Sequence, residues 1–263
     1  APSKHSRESL SNEQIKLLAQ RIVSVILSDS DEAVIQTVRP LLETGCPFAK
    51  LDRLGREIDQ ACNEYPQELL RGLDRIVSYN AMAGFVIAGQ ALVSLLENYF
   101  DAAMQKSREY VARGDRWYVC DIIGERSLGH ALVNYFDQAH PWFERLVKDE
   151  NPQVRRCVGV AIHFFSKRVL DEPAKTKKIL NLIEPYIEEK QIDAMKGIGW
   201  GLKTIGRHHP DILTQFIEKQ LKAEKSISKV IIRKAMTYLD KDNRSKIGDY
   251  VQNLQNQNHS EYT

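Results

Sequence analysis

The sequence predicts an all-α protein whose helices pair and stack into an α-α superhelix, that is, an α-solenoid. Three observations predict it. Apolar residues recur at helical spacing along nearly the whole chain of 263 residues, and no stretch sustains the strict alternation of a half-buried strand. Only 14 glycines and 9 prolines are present, too few for a protein of many β-turns. A short segment also recurs at an offset of about 40 residues, as in solenoid proteins.

The individual helices are predicted from apolar stripes and from the breaks between them. The clearest stripes are Ile15, Leu18, Ile22, Val25 and Ile26, then Leu69, Leu73, Ile76 and Val77, then Val154, Val158, Ala161, Ile162 and Phe165. Breaks at proline mark predicted helix starts at Pro47, Pro66, Pro141, Pro152, Pro173 and Pro210. Together these signals predict about twelve to fourteen helices of roughly 10–18 residues. Pro185 lies inside a stripe and is expected to kink or split its helix.

The recurring segment indicates which kind of solenoid this is. The segment that starts at Asn151 can be laid over the one that starts at Gln191, an offset of 40 residues. HEAT and armadillo repeats have a period of about 40–47 residues, so this repeat is slightly short. We therefore expect a single HEAT-like repeat domain over residues 1–263, with a disordered tail at residues 1–10 and the motif-bearing repeats at residues 105–240.

Charged residues occupy matching positions in these repeats. Arg156 overlays Lys196, Arg233 follows Lys196 by 37 residues, and Asp121 precedes Arg156 by 35 residues. Equivalent positions on successive helices of a solenoid line one concave surface, so we expect these four residues to share it. The alternative is a set of ordinary solvated helix faces, on which Lys and Arg commonly recur.

The net charge of +2 does not by itself indicate a nucleic-acid-binding protein, but the distribution of charge along the chain fits a polyanion-binding surface. Residues 141–263 hold 22 basic and 16 acidic residues, a net +6, whereas residues 1–140 carry a net −4. Such an asymmetry can mark a face that binds nucleic acid. Scatter among surface charges is the alternative.

Several functional classes are disfavoured. No run of about 18 apolar residues is present, so no membrane-spanning helix and no membrane partner are expected. The polar segment Ala1–Ser11 has no apolar core, so no signal peptide is expected and the protein is expected to be cytoplasmic, of a bacterial type associated with the nucleoid. There is neither a glycine-rich phosphate loop nor a cluster of Cys and His, so we expect no cofactor and no metal.

The cysteines are expected to be buried thiols in a reducing compartment. Cys46, Cys62, Cys120 and Cys157 form no CxxC pair. Cys120, next to Asp121, is an alternative nucleophile, but no histidine lies within a few residues of it.

Aromatic residues accompany the charged row and complete a recognisable pattern. Two of only three tryptophans stand beside it, Trp117 four residues before Asp121 and Trp200 four residues after Lys196. At these residues the sequence resembles the HEAT-like DNA alkylation repair family, the AlkD-type alkylpurine DNA glycosylases. The resemblance lies in Trp117–Asp121, Asn151–Arg156 with the small apolar residues that follow, Lys196–Lys203 with His209-Pro210, and Ser228–Arg233.

The resemblance implies a role for each matching residue. Asp121 matches the catalytic carboxylate, Trp117 and Trp200 match the aromatic residues that touch the damaged nucleotide, and Arg156 matches the arginine beside the phosphodiester of the lesion. Lys203 stands where the family often has Arg, which keeps the charge but loses bidentate phosphate binding.

Further DNA contacts are expected from neighbouring cations. The candidate DNA-binding residues are Lys196, Lys203, Arg233, Arg155 and Lys229. Residues 1–100 match the family only in helical character.

The activity implied by the resemblance is hydrolysis of the N-glycosidic bond of alkylated purines in double-stranded DNA, without base flipping, by a monomer. An N3- or N7-alkylated purine is cationic and leaves readily, and its departure creates an oxocarbenium-like sugar that a carboxylate stabilises. Asp121 must stay ionised, and Arg156 nearby is expected to favour this by lowering its pKa. The alternative is a non-catalytic relative that binds damaged or branched DNA, or a protein-binding scaffold.

Overall fold

The computed structural model describes residues 10–260, and within them every regular element is a helix, so the predicted all-α helical-repeat fold is confirmed. Of the expected disordered tail, all but Leu10 lies outside the described residues. Contacts divide the chain into two compact units, Ala1–Tyr110 and Val111–Thr263. The single domain over residues 1–263 stays a prediction. No helix of residues 10–260 is long and apolar enough to cross a membrane.

The first unit is built from alternating helices. Its elements are α1 (Asn12–Leu27), α2 (Asp31–Glu43), α3 (Phe48–Ala61), α4 (Pro66–Ser78), α5 (Met82–Leu95) and the start of α6 (Phe100–Gly114). Helices α1, α3 and α5 pack side by side in one layer, and α2 packs on α4 in a second. Ile22, Ile58 and Leu73 are fully buried between them. This pairing of each helix with the next but one is typical of stacked helical repeats.

The second unit repeats the pattern and carries the motif-bearing helices. Its elements are α7 (Trp117–Ile123), a π-helical turn (Gly124–Leu128), α8 (Gly129–Asn134), α9 (Phe136–Leu146), α10 (Pro152–Ser166), α11 (Pro173–Ile183), a 3-10 turn (Glu184–Tyr186), α12 (Ile192–His208), α13 (Pro210–Lys222), α14 (Lys229–Ala235) and α15 (Lys241–Ser260). Helices α7, α10, α12 and α14 form one row in which each contacts the next. These are the four helices that carry the charged positions aligned by the sequence repeat.

Proline has two different effects in this unit. Pro185 splits its helix as predicted, because α11 ends at Ile183 and a 3-10 turn follows. Pro141 does not start a helix, and this prediction was wrong: α9 begins five residues earlier, at Phe136, and runs through it. The missing amide costs the helix one hydrogen bond. Burial of Phe136, Phe143 and Leu146 outweighs that cost.

Candidate active site

Helix α7 presents an aromatic ring and a carboxylate one turn apart. Trp117 is the first residue of α7 and is 58% exposed, and Asp121 follows four residues later on the same face. Tyr118 meets the Trp117 ring edge-on, with ring centroids 5.9 Å apart. Arg116 donates a hydrogen bond to the Tyr118 hydroxyl at 3.3 Å, which braces the start of the helix.

Arg156, from α10, holds the carboxylate. Its Nε and Nη2 donate to Oδ1 of Asp121 at 3.3 and 3.2 Å. Its guanidinium carbon lies 6.0 Å from the centre of the Trp117 ring. Only 9% of the Arg156 side chain is exposed, against 22% for Asp121. The ion pair is therefore built into the packing between α7 and α10, with Asp121 as its solvent-facing member.

A second carboxylate, missed by sequence reasoning, lies on the other flank of Arg156. Asp193, in the first turn of α12, places Oδ1 3.7 Å from Nη1 of Arg156. Its Oδ2 accepts a hydrogen bond of 3.0 Å from the Gln153 amide. In the sequence repeat, Asp193 overlays Gln153, and both residues lie in the first turn of their helices. This matching position is the one sequence signal that points to Asp193 as a site residue.

Burial controls the ionisation of Asp121. It raises the pKa of the carboxyl above the ordinary 3.8, and the neighbouring Arg156 charge and hydrogen bonds lower it by less. Arg156 lowers the pKa of Asp121 as expected, but the larger effect of burial, which sequence reasoning did not foresee, makes the net shift upward. The reason is that packing against α10 removes water from the carboxylate, and an isolated pair of sequence positions does not reveal this.

Trp200 reaches the same row from α12 and is packed against a histidine. Its ring stacks on His163 of α10 with centroids 4.2 Å apart and planes 26° from parallel. The indole is partly exposed, whereas His163 is 8% exposed. Of the four predicted catalytic residues, Trp117 and Asp121 both contact Arg156, whereas Trp200 contacts α10 at His163, about two helical turns beyond Arg156.

Cations extend the site along α12 and α14. Lys196 is exposed and Lys203 is partly exposed. Lys234 lies across Gly199 of α12, where a Cβ would come 2.7 Å from its Cδ. Burial lowers the pKa of Lys234, and the positive charges of Lys203, Arg156 and Lys196 lower it further. Lys203, Arg156 and Lys196 are therefore each close enough to repel the charge of Lys234, which makes the surface a candidate phosphate site.

An exposed aromatic residue adjoins these cations. Tyr238 is 46% exposed, with Lys203 Nζ at 5.3 Å and Arg207 Cζ at 5.1 Å from its ring centre. Sequence reasoning missed Arg207 and Tyr238, although Arg207 follows Lys203 by one helical turn. Basic side chains around an exposed ring are common in nucleic-acid interfaces.

The three other predicted DNA-binding residues are Arg233, Lys229 and Arg155. Arg233 is exposed, and its neighbour Lys234 is the residue whose charge interacts with Arg156, so a DNA contact by Arg233 stays a prediction. Lys229 is exposed in the first turn of α14. Arg155 is bonded to the protein itself: Nε and Nη2 contact the Glu189 carboxylate at 2.7 and 3.1 Å, and Nη1 contacts the Asp149 carbonyl at 2.7 Å. We assign Arg155 to the fold rather than to DNA contact, because its donors already have partners.

The cysteine alternative is not supported. Burial raises the pKa of Cys120 to about 12, and its thiol donates to Oε1 of Gln153 at 3.0 Å. A buried thiol with such a pKa is a poor nucleophile. Among residues 10–260, no three His, Cys, Asp or Glu side chains are grouped as metal ligands.

Comparisons with known proteins place the chain in a family. A family model described as DNA alkylation repair enzyme matches residues 39–239. The match reaches into the first unit, beyond the motif-bearing residues 105–240. No curated protein matches the chain. A crystal structure of an engineered protein from a structural genomics consortium is similar, with 15% identity over 90% of this chain and 96% of that one and a TM-score of 0.45. Because the family model covers well over half of its length, the chain belongs to the DNA alkylation repair enzyme family.

Proposed function

We propose that this protein is a DNA glycosylase that hydrolyses the N-glycosidic bond of N3- or N7-alkylated, cationic purines in double-stranded DNA, leaving an abasic site, and that it acts as a monomer. The observation that carries the proposal is Asp121, solvent-facing but held at 3.2–3.3 Å by the buried Arg156. Trp117 lies on α7 and Trp200 on α12, the two helices that flank α10. Lys196 and Lys203 of α12 and Lys234 of α14 add positive charge to the same row of helices.

The geometry suits departure of a base that is already positively charged. When the bond between C1′ and the purine nitrogen breaks, the electron pair leaves with the base, which becomes neutral, and positive charge develops on the sugar. Asp121 would stabilise this charge electrostatically, since Arg156 fixes its orientation before the reaction. Water then adds to C1′ and loses its proton to Asp121 or to solvent. Trp117 and Trp200 would contact the deoxyribose and the lesion, where indole rings attract cations.

Binding from the backbone side would need no base pocket. Lys196, Lys203 and Lys234 would neutralise phosphates, which supplies affinity without sequence readout. The lesion would therefore stay in the duplex, in contrast to the usual extrusion of the target base.

The direct test is release of free base. Duplex DNA carrying 7-methylguanine or 3-methyladenine is incubated with the protein, and the released purine is separated and quantified against an enzyme-free reaction. We expect release well above spontaneous loss. Release equal to the enzyme-free rate, with DNA binding retained, would instead identify a non-catalytic DNA-binding member of the family.

A pH dependence follows from the raised pKa of Asp121. Catalysis needs the carboxylate, so activity is lost as pH falls through its pKa in the folded protein. Since that pKa is above 3.8, the acid limb of the rate profile should lie above the ordinary value for Asp. In Arg156→Gln the lowering influence of the guanidinium disappears, so the limb should move to higher pH still. Single-turnover rates between acid and neutral pH locate the acid limb in the wild type and in Arg156→Gln. An acid limb at the same pH in both proteins would contradict the proposed influence of Arg156 on Asp121.

The cationic surface predicts a change in salt dependence. Lys203→Gln and Lys234→Gln should each weaken binding to undamaged duplex DNA and reduce the log–log slope of affinity against salt by about 0.9, one phosphate contact each. Lys177→Gln is the matched control, since Lys177 is exposed on α11, outside the row of helices that carries the site. Fluorescence anisotropy at several salt concentrations gives the slopes. Slopes identical to that of the wild type would show that these lysines do not contact DNA phosphates.

A further inference from the structure

A buried histidine connects the helices that carry the candidate active site. His163 is 8% exposed on α10, and its ring covers one face of the Trp200 indole at a centroid distance of 4.2 Å. The resemblance to known glycosylases gives it no role, and from sequence it is simply a histidine on an apolar face. Its contacts, however, lead to residues on both sides of the site.

Both ring nitrogens of His163 face a polar partner. Nδ1 lies 2.6 Å from the Thr204 hydroxyl, which in turn lies 3.2 Å from the backbone carbonyl of Trp200. Nε2 lies 3.6 Å from Oε1 of Glu125. Glu125 stands in the π-helical turn that directly follows α7, one turn beyond Asp121. The imidazole therefore links the segment that carries the catalytic carboxylate to the helix that carries Trp200.

We propose that His163 is a positioning residue that fixes the plane of the Trp200 indole in the candidate active site, with the Thr204 hydroxyl holding the imidazole in place. A buried ring that is hydrogen-bonded at one nitrogen and stacked on an indole has a restricted rotation about its own axis. The stacked indole is restricted with it. The consequence for base release rests on the proposed function, whereas the consequence for the indole itself does not.

The charge state of the histidine supports this role. Burial lowers the pKa of His163 to about 4, and the positive charges of Lys167, Arg168 and Lys203 contribute to the lowering. The carboxylate that faces it is Glu125. The imidazole is therefore neutral at pH 7. A neutral ring on one face of the indole leaves its π-electrons available to a cationic purine on the remaining surface, whereas an imidazolium would compete for them.

The first test examines the indole without any DNA. The emission and acrylamide quenching of Trp200 are obtained as the difference between each protein and its Trp200→Phe derivative. We expect His163→Ala to increase the quenching of Trp200 and shift its emission to the red, and His163→Phe, which keeps a flat ring, to change both much less. His130→Ala is the matched control, because His130 of α8 contacts Phe164, the residue after His163 on α10, with ring centroids 4.9 Å apart. It should leave the Trp200 signal unchanged.

A milder variant covers the case in which His163→Ala fails to fold. Thr204→Val removes the hydroxyl at nearly constant shape and should produce a smaller change in Trp200 quenching in the same direction. Far-UV circular dichroism establishes that each variant is folded. A Trp200 signal identical to wild type in the folded variants would overturn the proposal.

The second test measures the consequence for activity. We expect His163→Ala to slow single-turnover release of 7-methylguanine about tenfold or more with less than a twofold change in DNA affinity, since misplacement of a contact group acts on the reacting geometry. Release at the wild-type rate, despite an altered Trp200 signal, would overturn the catalytic consequence. If the wild type itself releases no base, the proposed function fails, and the fluorescence result still decides whether His163 positions the indole.

Discussion

Replacing Asp121 with Asn is expected to slow the release of 7-methylguanine from duplex DNA by about 10²–10⁴-fold. The amide keeps the shape of the side chain and can still accept from Arg156, but it has no negative charge to stabilise the sugar cation or to accept a proton. Binding should be unchanged or slightly tighter, because a negative charge near the phosphates is removed. Single-turnover rates and equilibrium binding to the same oligonucleotide separate the two effects.

The structure offers a matched control for this substitution. Asp193→Asn makes the same chemical change on the other flank of Arg156, where the carboxylate is 3.7 Å from Nη1. If the role of Asp121 lies in its own charge at the sugar, Asp193→Asn should lose far less activity. Equal losses in the two variants would mean that both carboxylates act only by orienting Arg156, and equal rates for Asp121→Asn and wild type would remove Asp121 from the mechanism.

Much of this site depends on local geometry, and that part could be predicted from sequence. Trp117 and Asp121 are four residues apart on a helix, so a shared face follows from helical geometry alone. The 40-residue offset that aligned Arg156 with Lys196 also separates the first residues of α10 and α12, Pro152 and Ile192. Periodicity therefore identified which helices are neighbours.

Contacts between helices depend on rotation and crossing angle, which a single sequence does not encode in a visible pattern. Adjacent residues on a helix point about 100° apart around its axis, so Arg156 faces Asp121 whereas Arg155 binds Glu189. Glu125, which lies beside His163, stands in the π-helical turn that follows α7, and the apolar pattern of the sequence gives no sign of that turn. The net rise in the pKa of Asp121 likewise reflects burial, a property of the assembled helices.

Gly159→Ala is expected to produce the largest loss of stability, about 3 kcal/mol, because α10 and α12 touch backbone to backbone at this point. A Cβ at residue 159 would lie closer than 3.0 Å to the carbonyl carbon and oxygen of Gly197. Backbone atoms cannot rotate away as a flexible side chain can, so α12 must move. The gain in helix propensity from Gly to Ala, about 1 kcal/mol, offsets only part of the strain.

The substitution should lower both the Tm and the rate of base release. A destabilisation of about 3 kcal/mol lowers the Tm by roughly 6–12 °C in a protein of this size. Gly248→Ala is the matched control, since a Cβ added at Gly248 on α15 would meet no atom within 4 Å, and it should be neutral or slightly stabilising. A Tm for Gly159→Ala equal to that of Gly248→Ala would contradict the close approach. Because Arg156 and Asp193 lie on the two helices that would separate, Gly159→Ala should also slow base release at temperatures where the protein is still folded.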